Sequence, residues 1–512
     1  MGQSESVATP TAVSFTTSTP HDAILTVGLA TDSIVTLDPA AYSDRTTETV
    51  IRNIFDGLVT RTVDNQVVPE LAQSYRWLDD TTVEFKLKQN VQFHNGDPFT
   101  AVDVAFTFDR LLNQDIGAPR RVFVQGIERV EMIDDYTVRF HLNQPWPVFL
   151  QLLVHTQIVP QGYVTAVGDA AFAQHPIGTG PFRFTSGKLD DEIVLTRFDN
   201  YYGGADELLP VGPPLLAGVV FRMMPNTTER LQALQTGEVQ IIQNVPPTAV
   251  PILLDNPNLT IKTVVGTRPK FIDLNVSRPP FDDIRVRQAM GYAIDTEALL
   301  QEIANGYGIL MAGPFSPANQ FADPTRFPGN YDPQRAQVLL AEAGYAPADI
   351  VFTLDTTEAN EALAEAIAAQ LNGLGMQVEV KTWEYDVIKP QLLACQRQAF
   401  VHDWGDSAFD PVGYVEAKWQ TQQPGTSAGR GNYACYSNAR VDALIDEGAV
   451  ASDQQQRQGI YNEVQQLIQV DAPTIFLYVP QEVEAASSRV HNWQPSPDGR
   501  INLHDVWMTD TE

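Results

Sequence analysis

The chain has 512 residues, 43% of them hydrophobic and 19% charged; this is too long for one core and too ordinary in composition for disorder, so roughly two to four compact lobes are expected. Lys and Arg number 33 against 63 Asp and Glu, a formal net charge of -30, which repels phosphate backbones and anionic bilayers and, with no basic run to offset it, excludes nucleic acid as a partner. No stretch approaches the ~18 consecutive apolar residues needed to span a bilayer, so the chain is expected to be soluble or tethered at one end.

Residues 1–21 open with MGQSESVATPTAVSFTTSTP, rich in Ser, Thr and Pro and without helical period, and read as a flexible leader lacking an apolar signal core. A plain disordered terminus and the mature tail of an exported lipoprotein, with Met1 standing where the lipid-bearing Cys would be, both fit. Ala23 to Ala30 predicts a strand, Asp38-Pro39 a turn, and about Thr46 to Leu58 a helix ending near Gly57. In TVEFKLK the apolar Val83, Phe85 and Leu87 alternate with charged residues, as in a half-exposed strand. Thr100 and Asp103 are spaced as a capping box for a helix carrying Val104, Phe108 and Leu111 on one side. A second alternating strand, TVRFHL at Thr137 to Leu142, completes a small α+β unit.

IGTGPF at Ile177 to Phe182 lacks the Lys-Ser/Thr of a phosphate-binding loop and the spacing of a dinucleotide fingerprint, and reads as a tight crossing between lobes. A strand from Gly218, a helix opened by Asn226 and Glu229 and closed at Gly237, and the strand EVQII follow. From Lys270 the pattern is more regularly α/β. Strand FIDLNV precedes a helix capped by Asp282 or Asp283, and another helix opens at Asp332-Pro333 and stops at Gly344. Leu363, Ile367, Leu371 and Leu374 form a helical stripe, and Met376, Val378, Val380 and Thr382 alternate as a strand; both are core patterns. Helices carrying Val441, Leu444 and Ile445, then Ile460, Val464, Leu467 and Ile468, precede the strand TIFLYVP.

The candidate site is VHDWGDSAFDP at Val401 to Pro411. Three carboxylates, Asp403, Asp406 and Asp410, are interleaved with Trp404, Ser407 and Phe409, and Gly405 and Pro411 punctuate them. Rings beside acceptors at a strand-to-loop junction suit a polar ligand with an apolar body. An acidic surface loop with one half-buried Trp fits this stretch equally well. Cys395 and Cys435 flank it, in a usage compatible with an oxidising compartment. A disulfide between them and two free thiols are both open.

Paired Asp could serve glycoside cleavage, which needs carboxylates about 5 to 10 Å apart, yet no second segment offers a partner acid. The eight histidines show no paired ligand spacing and the two cysteines no C-x-x-C, so no metal is expected; His402 beside Asp403 is the one suggestive place, with a structural His the simpler reading. A G-x-S-x-G elbow or a Cys with an arranged His is also missing, so no catalytic residues are assigned.

Several blocks in order resemble the extracytoplasmic solute-binding proteins of ABC importers, in the cluster of oligopeptide, dipeptide and nickel receptors (solute-binding protein family 5). They are TLDPA, FDGLV, VVPELAQSYRW with TVEFKLKQNVQFHNGDPFTAVDVAFTFDRLL, HPIGTGPFRF, PPFDDIRVRQAMGYAID and NYACYSNARVDALIDEG. The resemblance implies a two-lobed periplasmic-binding-protein-like α/β fold (type II, cluster C) with an extra α+β domain inserted in the N-terminal lobe. Lobe I would comprise 22–57, 177–267 and 481–512, the inserted domain II 58–176, and lobe III 268–480. It further implies an extracytoplasmic Venus-flytrap receptor, monomeric and without cofactor, that closes over a small-molecule or oligopeptide ligand and presents it to membrane permease subunits, without chemistry.

In peptide-binding relatives an Asp three residues after the Trp holds the ligand's α-amino group. Trp404 and Pro411 keep that spacing, but the anchoring position is Ser407, with Asp406 one residue earlier and Asp410 three later. A neutral Ser is a weaker acceptor for an ammonium than a carboxylate, so an oligosaccharide on Trp404 stands beside a peptide as the ligand. By the same analogy Ser43 and Arg45 face the ligand from the opposite lobe. Arg430 and Arg397 are basic candidates for a ligand carboxylate.

Overall fold

The computed structural model describes residues 22–62, 65–208, 211–323, 325, 329–405 and 408–509. The leader 1–21, and with it any tether, lies outside these residues.

A 12-stranded mixed sheet runs through most of the molecule. At its first half lies the strand Ile24–Leu29, whose Leu25, Val27 and Leu29 are fully buried. It is flanked by parallel partners at Gly218–Met223 and Ile241–Ile242, which explains its apolar run. Only the last two residues of the expected EVQII strand join the sheet. In the second half, Lys270–Leu274, Val351–Thr356, Gln377–Thr382 and Ala399–Asp403 carry the sheet onward, with the helices Ile284–Ala293, Pro333–Ala343 and Glu361–Gly373 packed on it. The caps fall where the side chains dictate. Asp283 accepts from the Arg285 N–H, and Asp332 precedes Pro333 and accepts from Arg335.

The two halves are joined by a pair of antiparallel crossings. The strand Thr474–Ser487 is 14 residues long, twice the expected TIFLYVP. Its first residues pair with Lys270–Leu274 and its last seven with Leu259–Val265. One continuous strand therefore belongs to both halves, and Gly266 to Pro269 is the matching link on the neighbouring chain.

A separate four-stranded sheet, ordered Ala72–Asp79, Thr82–Leu87, Thr137–Leu142, Ile127–Asp134, builds the region between Gly57 and Ile158. The Thr100–Asp103 capping box is present and starts the helix Ala101–Leu112 over this sheet. Its Phe108 meets Phe140 edge-on at 4.8 Å, and Phe140 meets Phe85 at 5.3 Å, in a core distinct from those of the two halves.

The helix Arg45–Ile54 is shorter than expected. Phe55 turns extended (φ -130°, ψ 144°), and beyond it a Cβ at Gly57 would lie 2.8 Å from the Thr156 carbonyl oxygen. IGTGPF passes against the end of this helix: the Gly180 N–H donates to the Ile54 carbonyl at 2.9 Å, and a Cβ on Gly180 would come within 2.5 Å of that carbonyl carbon. The glycines are there for close approach rather than for phosphate.

Candidate functional site

The strand Ala399–Asp403 pairs antiparallel with Lys270–Leu274, setting Lys270 opposite Asp403. Beyond it the chain leaves the sheet at Trp404 and Gly405, and Asp410 caps the helix Pro411–Trp419. Asp406 and Ser407 lie outside the described residues, so the two positions that carry the amine-anchoring argument have no structural account.

Trp404 is half-buried and held from beneath. A Cβ on Gly431 would sit 2.6 Å from two carbons of the indole, so only glycine lets the ring lie flat there. The Gly431 carbonyl accepts from the Lys418 ammonium at 2.8 Å. Lys418 is fully buried; it donates to Asp273 at 2.5 Å, and Asp273 also accepts from Thr474 at 2.8 Å and contacts His402 at 2.9 Å. Burial would raise the Asp273 carboxyl, but Lys418 and His402 outweigh it and hold it at about 2. Burial, reinforced by Lys418, lowers His402. His402 is thus a satisfied structural group.

Cys435 lies two residues beyond Tyr433, whose ring meets Trp404 at 6.3 Å. The Cys395–Cys435 disulfide is formed, with Cα atoms 5.9 Å apart.

A cleft of about 570 Å³ opens over the indole. Trp404, Gly405 and Arg430 line one side, with the Arg430 guanidinium 5.9 Å from the indole centroid. Phe123, Gln125 and Trp146, from the separate four-stranded region, line the other.

The remaining expected residues divide. Arg45 arrives at the loop from the first half: its Nη2 lies 3.5 Å from the point where a Cβ on Gly405 would sit, and donates to Thr267 Oγ1 at 2.6 Å. Ser43 is exposed two residues earlier. Asp403 is engaged: Arg268 Nε donates to it at 2.7 Å and Lys270 Nζ at 2.8 Å. Burial alone would raise this carboxyl; Lys270 and Arg268 instead hold it well below the usual range. Asp410 is corrected from ligand acceptor to framework. It is 0% exposed, takes both Arg457 nitrogens at 2.7 Å, and accepts from the Val412 N–H. Arg397 is likewise spoken for, paired with buried Asp355 at 2.6 and 2.7 Å beneath Trp383.

Sequence reasoning missed Arg268, Lys270 and Arg61. The first two flank Pro269 at alternate positions, directly ahead of a strand already predicted, and only the register with Asp403 reveals their target. Arg61 donates to the Ala408 carbonyl at 3.3 Å and stacks on Phe409 at 4.8 Å, so the Trp404 loop is touched from across the cleft at both ends.

Comparison with known proteins places this arrangement. Residues 66–426 match the family described as bacterial extracellular solute-binding proteins, family 5, middle. The chain belongs to this family. The glutathione-binding protein GsiB of Pectobacterium atrosepticum is 29% identical over 96% of this chain and 94% of its own length. The periplasmic binding protein DppA of Helicobacter pylori, solved with the peptide STSA, is 26% identical with a TM-score of 0.77 over 95% of this chain and 98% of that one. The oligopeptide-binding protein AppA of Bacillus subtilis, solved with a nonapeptide, is 26% identical with a TM-score of 0.76 over 96% and 100%. This solute-binding protein therefore has the two-lobed α/β architecture, and its role is capture of a solute for import. Among the described residues no helix is long and apolar enough to cross a membrane, and no group of three or more His, Cys, Asp or Glu could hold a metal ion.

Proposed function

We propose that the receptor captures a peptide-like solute between its lobes, over Trp404 and Gly405, and delivers it as a monomer to the permease subunits of an ABC importer. The main support is the cleft itself: an immobilised indole, a glycine bare of side chain beside it, and the Arg430 guanidinium near the ring, on a fold whose relatives DppA and AppA hold peptides. Flat aromatic area takes up an apolar side chain or backbone face, while polar groups at the ends set orientation. Ligand residues are assigned as Trp404, Gly405, Arg45 and Arg430, with Ser407, Asp406 and Ser43 as flanking contacts. Lobe boundaries are set at 267/268 and 480/481, where the paired crossings run, with 58–176 as the inserted domain; its separate aromatic core supports the last. Closing is favourable because a ligand touching both lobes binds the closed form more tightly than the open one.

The test is mass spectrometry of whatever is released when natively purified protein is denatured. A family of short peptides or peptide-like acids is the expected result; a glycan would replace this reading with the oligosaccharide one.

A further inference from the structure

Phe409 is buried, at 8% exposure, yet it joins none of the hydrophobic cores formed by the described residues. Its burial is made where the two halves of the molecule meet. On its own side it borders a small gap shared with Phe315 and Tyr414. On the other it borders a cavity of about 420 Å³ walled by Arg52, Asn53, Tyr201, Pro495 and Leu503. Among the described residues, Phe409 is the only one of 268–480 that lines this cavity. Arg61 meets the ring from the same direction: its guanidinium lies 4.8 Å from the ring centroid, and Nη2 donates to the Ala408 carbonyl at 3.3 Å. Nη2 also donates to the Gln151 carbonyl at 2.8 Å, which ties the cation to its own side.

The backbone is strained to place the ring there. Phe409 has φ 54°, in the left-handed region that bulky L-residues rarely enter. A residue stays in such a conformation only where its surroundings over-determine it. The next residue supplies that constraint, since Asp410 takes both Arg457 nitrogens and caps the helix Pro411–Trp419. The ring is thus carried on a rigid base, away from its own core and into the opposite half.

We infer that Phe409 is an interlobe latch, a positioning residue that favours the closed receptor whether or not a solute is present. The contacts of its ring with Arg61 and the far cavity wall exist only while the halves are together. Opening returns the ring to water and withdraws the guanidinium from its face, so both the burial and the cation–π attraction are lost. The free receptor therefore already populates the closed form, and a solute supplies only the rest of the bias. The latch contact does not depend on what lies in the cleft, so it slows the release of every solute by the same factor. That separates it from Trp404, whose contact varies with the shape of the solute. The latch requires closure but not a peptide-like solute.

The test compares wild type with Arg61→Met and Phe409→Gly, each as full-length protein spin-labelled at Ile252→Cys and Val387→Cys and stripped of solute by denaturation and refolding. Arg61→Met removes the cation and leaves the ring; Phe409→Gly removes the ring and adopts the left-handed backbone without strain. Both are expected to melt within a few degrees of wild type. Stripped wild type should show an open and a closed distance population, and in each variant the closed one should shrink about fivefold or more. In a second measurement, natively purified protein is diluted and each co-purified solute is followed by mass spectrometry. Every solute should leave the variants faster than wild type, by one common factor. Distance distributions unchanged in both variants overturn the inference, as does a lowered Tm with the closed population intact, which would make Phe409 a packing residue. Acceleration confined to some solutes also overturns it, because Phe409 would then be a ligand contact. Co-purified glycans in place of peptides, released with a common acceleration, would remove the peptide-like reading and support the latch.

Discussion

The indole of Trp404 is positioned by residues that never meet a ligand. Lys418, fully buried, is stabilised by Asp273 and in turn pins the Gly431 carbonyl; Gly431 then supplies the flat floor on which the ring rests. Gly431→Ala is therefore expected to lift the indole off its floor. The affinity for ligand recovered from native protein, measured calorimetrically on the refolded variant, should fall about tenfold or more, while the melting temperature changes by only a few degrees. Unchanged affinity would show that Trp404 is not a ligand surface. At this scale the sequence was informative about types and silent about partners. Trp404, Gly405 and Arg45 could be singled out from the loop and its spacing. That Asp410 belongs to Arg457, 47 residues on, and Asp403 to Arg268 and Lys270 depended on contacts that no local pattern encodes.

Among the elements, the strand Thr474–Ser487 does most to define the molecule. Its apolar beginning was legible as TIFLYVP, but its continuation, QEVEAAS, carries two glutamates and does not announce a buried strand. Those acids mark the crossing. Glu484 is fully buried opposite Lys262, but the Lys262 ammonium turns to the Trp493 carbonyl, leaving the acid without a cation. Burial, with Glu482 nearby, raises Glu484 to about 8. The folded chain thus holds this proton more tightly than the unfolded chain, whose ordinary value is near 4.5. The stability it contributes is complete below that ordinary value and is lost as pH rises towards 8. Thermal melts at pH 5 and pH 8 should show a larger fall for wild type than for Glu484→Gln, by several degrees at ~2–4 °C per kcal/mol. Parallel slopes would remove Glu484 from the account. The helix caps, by contrast, were readable at sequence level, because Thr100–Asp103 and Asp332–Pro333 act within one turn. The strands Ala72–Asp79 and Ile127–Asp134 were not read, since both are edges with mostly exposed, charged faces and little alternation.

Across the whole molecule, a formal net charge of -30 keeps the protein clear of anionic bilayers, and the cleft shares that balance, with Asp410, Glu416 and Asp446 lining it beside Arg430. The fold class was legible because six sequence blocks occur in one order, each a local pattern of turn, cap or alternation. The cleft was legible only as one wall: Phe123 and Trp146 on the opposing face, and Arg61 with its hold on Ala408 and Phe409, come from segments some 260 to 350 residues away in sequence. Those cross-cleft contacts describe a closed arrangement, and closure over a ligand is the central claim. It is tested most directly by the distance between spin labels on Ile252→Cys and Val387→Cys, two exposed positions on opposite sides of the crossings, in a chain whose native cysteines are tied up in the disulfide. On adding the ligand recovered from native protein to the stripped receptor, the distribution should shift and narrow to a single closed population. A distribution identical with and without that ligand would contradict the account.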